Sequence, residues 1–156
     1  MAKEIERKFL VKGSGWKAGV KGIVYRQGYL SSIKERVVRV RTIENKGFLT
    51  IKGITRGVTR SEFEYEISVE DANIMLDDIC EKPLIEKKRY NIPVGGLVFE
   101  VDEFFGENEG LVVAEVELTD EKQKIELPEW IGEEVSGDPR YFNSNLIKNP
   151  YMRWRG

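Results

Sequence analysis

About eight segments of this chain alternate apolar and polar residues at period two, and on most of them the polar positions are charged and sorted by sign. They run roughly over 3–12, 22–31, 36–44, 47–54, 60–69, 85–92, 97–105 and 111–118. A strand points successive side chains to opposite sides, so in the opening MAKEIERKFLV the residues Glu4, Glu6 and Lys8 share one face and Ile5, Phe9 and Val11 the other. The partition recurs along the chain. Arg39 and Arg41 oppose Val38 and Val40, and Thr50 and Lys52 oppose Leu49 and Ile51. Arg60, Glu62, Glu64 and Glu66 oppose Phe63, Tyr65 and Ile67. Lys87 and Arg89 share a face, with Lys88 blurring the opposite one; Glu100 and Asp102 share another, and Glu115 and Glu117 oppose Ala114, Val116 and Leu118. Turn material such as NKG, PVGG and GENEG separates several segments. About eight antiparallel strands in one small domain make a barrel or a sandwich.

A sheet with one face on a core and one in water accounts for the alternation through cross-strand pairing. It gives no reason for acids and bases to fall in separate blocks. Closure with the charged faces inward does: roughly nine acids and seven bases then line a lumen in which unpaired charge is costly. Clustered carboxylates call for a divalent cation, and clustered Arg and Lys call for a multiply charged anion, phosphate above all, whose oxygens suit the guanidinium fork.

The chain has no histidine, which removes imidazole bases, Ser-His and Cys-His triads and most zinc sites. A carboxylate-bound metal should therefore be hard, Mg²⁺ or Mn²⁺. The net charge of −2 gives no general attraction for nucleic acid or anionic membranes, and the tail KNPYMRWRG reads as a solvated or loosely docked terminus. No Gly-Lys-Ser/Thr sequence follows a strand, which removes the P-loop.

The 156 residues are read as one domain, 1–156, without repeats or linkers. No segment approaches the ~20 apolar residues of a membrane span and none resembles a signal peptide, so a cytoplasmic protein is expected. Cys80, the single cysteine, reads as core filler. Two helices are expected. In SVEDANIMLDDICEKP, Ser68 and Asp71 form a capping-box pattern and Ala72, Met75, Leu76 and Ile79 an apolar stripe. In GDPRYFNSNLIKNP, Asp138 caps, Pro139 occupies the first turn and Pro150 ends the helix. Shorter turns are expected near Trp16 and around 119–132. Exposed apolar faces are open to pairing into a homodimer or to covering by helices.

Glu4-Ile5-Glu6-Arg7-Lys8 resembles the ExExK signature of the CYTH superfamily, the triphosphate tunnel metalloenzymes, and the order of later elements resembles it too: RVRT, TIKG, EFEYEI, a helix, KKRY, VDEFFGENEGL, AEVEL and GDPRYFNSNL. The resemblance implies a mainly β, α+β fold: a closed eight-stranded antiparallel tunnel with flanking helices. It implies that Glu4, Glu6, Glu115 and Glu117 are metal ligands, with Glu62, Glu64 and Asp102 serving a second metal or positioning water. Lys8, Arg39, Arg41, Lys52, Arg60, Lys87 and Arg89 become phosphate ligands, and Arg140 closes one tunnel end. The catalytic set is then Glu4, Glu6, Lys8, Arg41, Lys87, Glu115 and Glu117, with water attacking a terminal phosphorus in line.

Family members act on inorganic triphosphate, nucleoside triphosphates, thiamine triphosphate or RNA 5′-triphosphate, and one branch cyclises ATP. Inorganic triphosphate is the expected small-molecule substrate here. The cyclase branch carries a His-Phe motif that this chain lacks, and Tyr29, at one parity with Tyr25 and Gln27, either blocks an end of the tunnel or fills the barrel. The alternatives are a nucleoside triphosphatase or adenylate cyclase, and a polyphosphate-binding module without turnover.

Overall fold

The alternating segments close on themselves. The computed structural model describes residues 3–154, apart from the side chains of Lys3, Glu4 and Ser144. Its strands are β1 (Lys3–Val11), β2 (Ile23–Ile33), β3 (Arg36–Ile43), β4 (Lys46–Lys52), β5 (Thr59–Ile67), β6 (Ile85–Val94), β7 (Leu97–Phe104), β8 (Val112–Glu117) and β9 (Ile131–Glu134). They lie in the order β5-β4-β3-β2-β6-β7-β8-β1-β9, and a further β5–β1 pairing seals the first eight into a ring. Every pairing is antiparallel. The seal is short: along one edge β1 meets β5 only at Lys3, Glu4 and Ile5, while its other edge pairs with β8 over Glu6–Leu10. Beyond that point β9 occupies the vacated edge of β1. The expected strands and the closed barrel are both present; β9 was not foreseen, because IGEE carries no alternation.

Because the charged faces turn inward, much of the apolar core lies outside the barrel wall. One cluster packs Phe9, Phe99, Val101, Ala114 and Val116 from β1, β7 and β8 against Trp16, which sits in a 3-10 turn, Gly15–Lys17. A second cluster joins Val40 to Ala72, Leu76 and Cys80 of the helical segment after β5. A third plugs the barrel itself: Tyr29, Val37, Ile85, Phe104 and Val113 lie at the same parity as the charged residues and pack beneath Tyr141, Leu146 and Ile147. Gly95 and Gly96, both at positive φ, make the two-residue turn between β6 and β7, a conformation that glycine adopts freely.

The helical segment begins as expected, with the Ser68 hydroxyl accepting the Asp71 N–H. It does not continue as one helix. Helix α1 (Val69–Ile74) passes into a π turn, Met75–Ile79, closed by the Cys80 N–H donating to the Met75 carbonyl at 2.8 Å. The wider turn shifts the apolar stripe, so Ile79 is 64% exposed and Cys80 takes the inner position. Burial pushes the Cys80 thiol up, as suits core packing.

The second expected helix is also shorter. Asp138 caps a 3-10 turn, Pro139–Tyr141, before an extended Phe142 interrupts it and α2 (Asn143–Leu146) follows. Among the described residues no helix is long and apolar enough to cross a membrane.

Glycines on the outer wall admit the helical segment. A Cβ on Gly47 would stand 2.8 Å from Ala72 Cβ and 3.0 Å from the Ser68 carbonyl oxygen; one on Gly28 would meet Leu84 at 2.7 Å and Cys80 at 2.9 Å. Gly47→Ala should therefore cost about 1–3 kcal/mol of stability. A urea titration should show this as a lower midpoint, with activity per folded molecule kept.

Candidate active site

Inside the barrel lies a cavity of about 270 Å³, just under the roughly 300–1,000 Å³ of pockets for drug-sized ligands. Charged side chains from most of the strands line it: Glu6 and Lys8 of β1, Arg39 and Arg41 of β3, Lys52 of β4, Arg60, Glu62 and Glu64 of β5, Arg89 of β6, Glu100 of β7, and Glu115 and Glu117 of β8. Tyr29, the β4–β5 loop residues Thr55, Gly57 and Val58, and Ser136, Phe142 and Asn143 add to the wall.

Register explains the grouping by sign. Glu6 stands opposite Glu117, Lys8 opposite Glu115, and Glu100 opposite Glu115 from the other side, which makes an acidic band across β1, β8 and β7. Arg39 and Arg41 project from β3, away from this band in the ring. Glu64 is their counter-charge: its carboxylate accepts from Thr50 Oγ1 at 2.8 Å and Arg41 Nη2 at 3.3 Å, with Arg39 Nη2 at 3.7 Å. The Nε atoms of Arg39 and Arg41 are nevertheless buried without a hydrogen-bond partner. Burial, with repulsion from Arg39 and Arg89, brings the Arg41 guanidinium down to about 10. This wall is short of negative charge.

Behind the cavity wall, Asp102 is 2% exposed and gripped by two cations. Arg89 donates through Nε at 2.7 Å and Nη2 at 2.9 Å, and Lys87 Nζ lies 2.8 Å away. Burial works to raise the Asp102 carboxyl, but Arg89 and Lys87 outweigh it and hold it below its ordinary value. Lys87, fully enclosed, is brought down to about 8 by burial and by Arg89, against the pull of Asp102. Burial also opposes ionisation of Glu115, yet Lys8, a hydrogen bond with Glu6, Arg89 and Lys87 hold it well below the usual range. Glu100 is raised, by burial first and then by Glu115 and Asp102. Tyr29 is buried, accepts from Gln27 Nε2 at 3.3 Å, and its hydroxyl is pushed up to about 12, chiefly by burial.

The cavity thus gathers most of the residues expected there, with three departures. Asp102 and Lys87 do not line it; they sit beneath it, and Asp102 serves two cations where a metal ligand was expected. Arg140 is outside the barrel, paired with Asp138 at 2.7 Å and stacked on Tyr141 and Trp154, because the 3-10 turn that carries it faces solvent. The Glu4 side chain lies outside the described residues; its backbone pairs with Arg60. Glu100 was not assigned a role from sequence, although it shares the parity of Asp102. Ser136, Phe142 and Asn143 come from irregular chain that no periodicity marks.

The carboxylates fit a hard divalent cation by donor type, since Glu6, Glu115 and Glu117 offer only oxygen on two adjacent strands. Among the described residues no three acids form a finished metal cage. A cation held by these carboxylates would need further oxygen ligands from outside the protein, which suits Mg²⁺, an ion that usually keeps several waters.

Residues 2–150 match the family model of the CYTH domain. The chain is 56% identical to an inorganic triphosphatase of Acetivibrio thermocellus, over 99% of each chain. It is 38% identical to an inorganic triphosphatase of Nitrosomonas europaea, over 92% of this chain and 95% of the other. Among solved structures, an inorganic triphosphatase superposes with a TM-score of 0.68 at 34% identity, covering 94% of this chain and 95% of that one.

Removing the charge beneath the cavity while keeping its shape should be costly, because Asp102→Asn strands Lys87 as a buried cation and leaves Arg89 only its longer pair with Glu100. The expected loss is about 3–5 kcal/mol in chemical denaturation at neutral pH. The pH profile has a definite sign: Asp102 titrates lower folded than unfolded, so its contribution is complete above the ordinary value near 3.8 and disappears as pH falls through the folded value. Below that value the acid stability of Asp102→Asn and wild type should converge.

Proposed function

The chain belongs to the CYTH family, and on that premise we propose that it hydrolyses inorganic triphosphate in the charged barrel with Mg²⁺ or Mn²⁺. The observation that carries this reading is the meeting of an acidic band and an arginine wall around one cavity of about 270 Å³. A receptor for an anion alone gains nothing from the band Glu6, Glu115, Glu117 and Glu100. A metal-bound polyphosphate uses both halves.

Glu6, Glu115 and Glu117 would hold the cation, joined by Glu4 from its place on the same strand. The cation's chemistry is to neutralise phosphate oxygens and to acidify bound water. Arg39 and Arg41 bind the substrate from the opposite part of the ring, turning from Glu64 to phosphate oxygens. Lys52 and Arg60 extend the grip along β4 and β5, while Lys8 and Arg89 sit nearest the acids through Glu115 and Glu100. Their positive charge stabilises the transferred group as it separates, and the protein needs no covalent nucleophile. Lys87 acts from beneath the wall, sharing Asp102 with Arg89 and so setting how firmly Arg89 is held. The apolar plug around Tyr29 leaves a bare phosphate chain as the best fit.

The first test is phosphate release from tripolyphosphate, ATP and thiamine triphosphate with each metal. Tripolyphosphate should be the preferred substrate, and chelation should abolish turnover. Glu115→Gln should lower kcat about 10²-fold or more. Retained tripolyphosphate binding without any release by wild type would instead make the protein a phosphate-chain sensor.

Lys87 supplies a pH signature. Its amine loses charge above about 8 in the free enzyme, so kcat/KM should fall on the alkaline side from there. Lys87→Met should lack that limb.

A further inference from the structure

Tyr25 has no role in the reading above. It lies on β2, is 8% exposed, and does not line the cavity. Its ring nonetheless carries three cations from the strands on either side: Arg89 Cζ at 4.8 Å, Arg41 Cζ at 5.3 Å and Lys87 Nζ at 5.9 Å from the ring centroid. All three fall within the ~6 Å reach of a cation–π contact. Lys87 also has the Phe104 ring at 5.6 Å, so the two arginines are the cations that depend most on Tyr25.

Those arginines repel each other, and each is anchored on a different carboxylate: Arg41 on Glu64, Arg89 on Asp102 and Glu100. A carboxylate partner occupies N–H donors and places a negative charge where phosphate must come. An aromatic face does neither. Its quadrupole attracts the flat guanidinium and leaves the edge N–H groups free to donate. The ring is itself buried, so it presents one surface against which both guanidinium groups lie.

We propose that Tyr25 is a positioning residue, its ring face holding Arg41 and Arg89 apart and oriented so that their N–H groups meet the phosphate chain. The proposal rests on the triphosphate reading. It assigns the effect to the ring, not to the hydroxyl.

The test is calorimetric binding of tripolyphosphate in chelator, which removes the metal and turnover from the measurement. Wild type and Tyr25→Phe should bind within about twofold of each other, and Tyr25→Leu should bind about tenfold more weakly. Replacing Tyr25 by phenylalanine, difluorophenylalanine and pentafluorophenylalanine in turn keeps the shape while draining the quadrupole. Affinity should fall stepwise along that series, which decides the matter even if Tyr25→Leu does not fold. With metal present, the same variants should lower kcat/KM in the same order as they lower affinity. A flat fluorination series, or a Tyr25→Phe protein as weak as Tyr25→Leu, would overturn the role of the ring. A wild-type protein that neither binds tripolyphosphate in chelator nor releases phosphate from it with Mg²⁺ or Mn²⁺ would overturn the triphosphate reading itself.

Discussion

Ionised side chains inside a closed β wall lose much of their hydration, and each must recover it from a neighbour of opposite sign. The deepest case is Asp102 between Arg89 and Lys87, where one carboxylate on β7 satisfies two cations on β6. Removing the carboxylate leaves buried positive charge without compensation, whereas removing either cation leaves the other paired with Asp102. From this buried trio the pairing spreads upward: Arg89 reaches Glu100, Glu115 reaches Lys8, and Glu64 takes up Arg39 and Arg41. Pairing in the cavity is looser than pairing beneath it, with ion-pair distances of 3.3–3.8 Å against 2.7–2.8 Å. The lower layer is structure; the upper layer is ready to exchange partners.

A charged interior obliges the protein to find its apolar burial elsewhere. It does so outside the wall, where the segment around Trp16 and the helical segment after β5 cover the outer faces of different strands. Within the barrel, the plug around Tyr29, Val37 and Phe104 is apolar, and the C-terminal segment seals it. These cores fix the strands in register. Register in turn fixes which charges meet, because a slip of one residue would send every charged side chain to the outer face.

Much of this was legible in the residues. The alternation in RVVRVRTI, EFEYEI and AEVEL named both the strands and the inward face, because period two has one structural meaning. The separation of acids from bases pointed to an enclosed site before any geometry was known. Asp102 and Glu100 show where that reading stopped: at one parity on one strand they look alike, yet one is locked under two cations and the other lines the cavity. Arg140 lies on a turn whose direction is set by Asp138 and Trp154, and parity says nothing about turns. The π turn that exposed Ile79 breaks the 3.6-residue period on which the apolar stripe rests.

Local chemistry alone therefore determined the strands, their two faces and the kinds of group on each, since side-chain direction along a strand follows from covalent geometry. The tertiary structure decided which charges pair, which lie in the cavity and which support it from below. Those outcomes depend on register, ring closure and depth from solvent, quantities that arise only when strands distant in sequence are brought together.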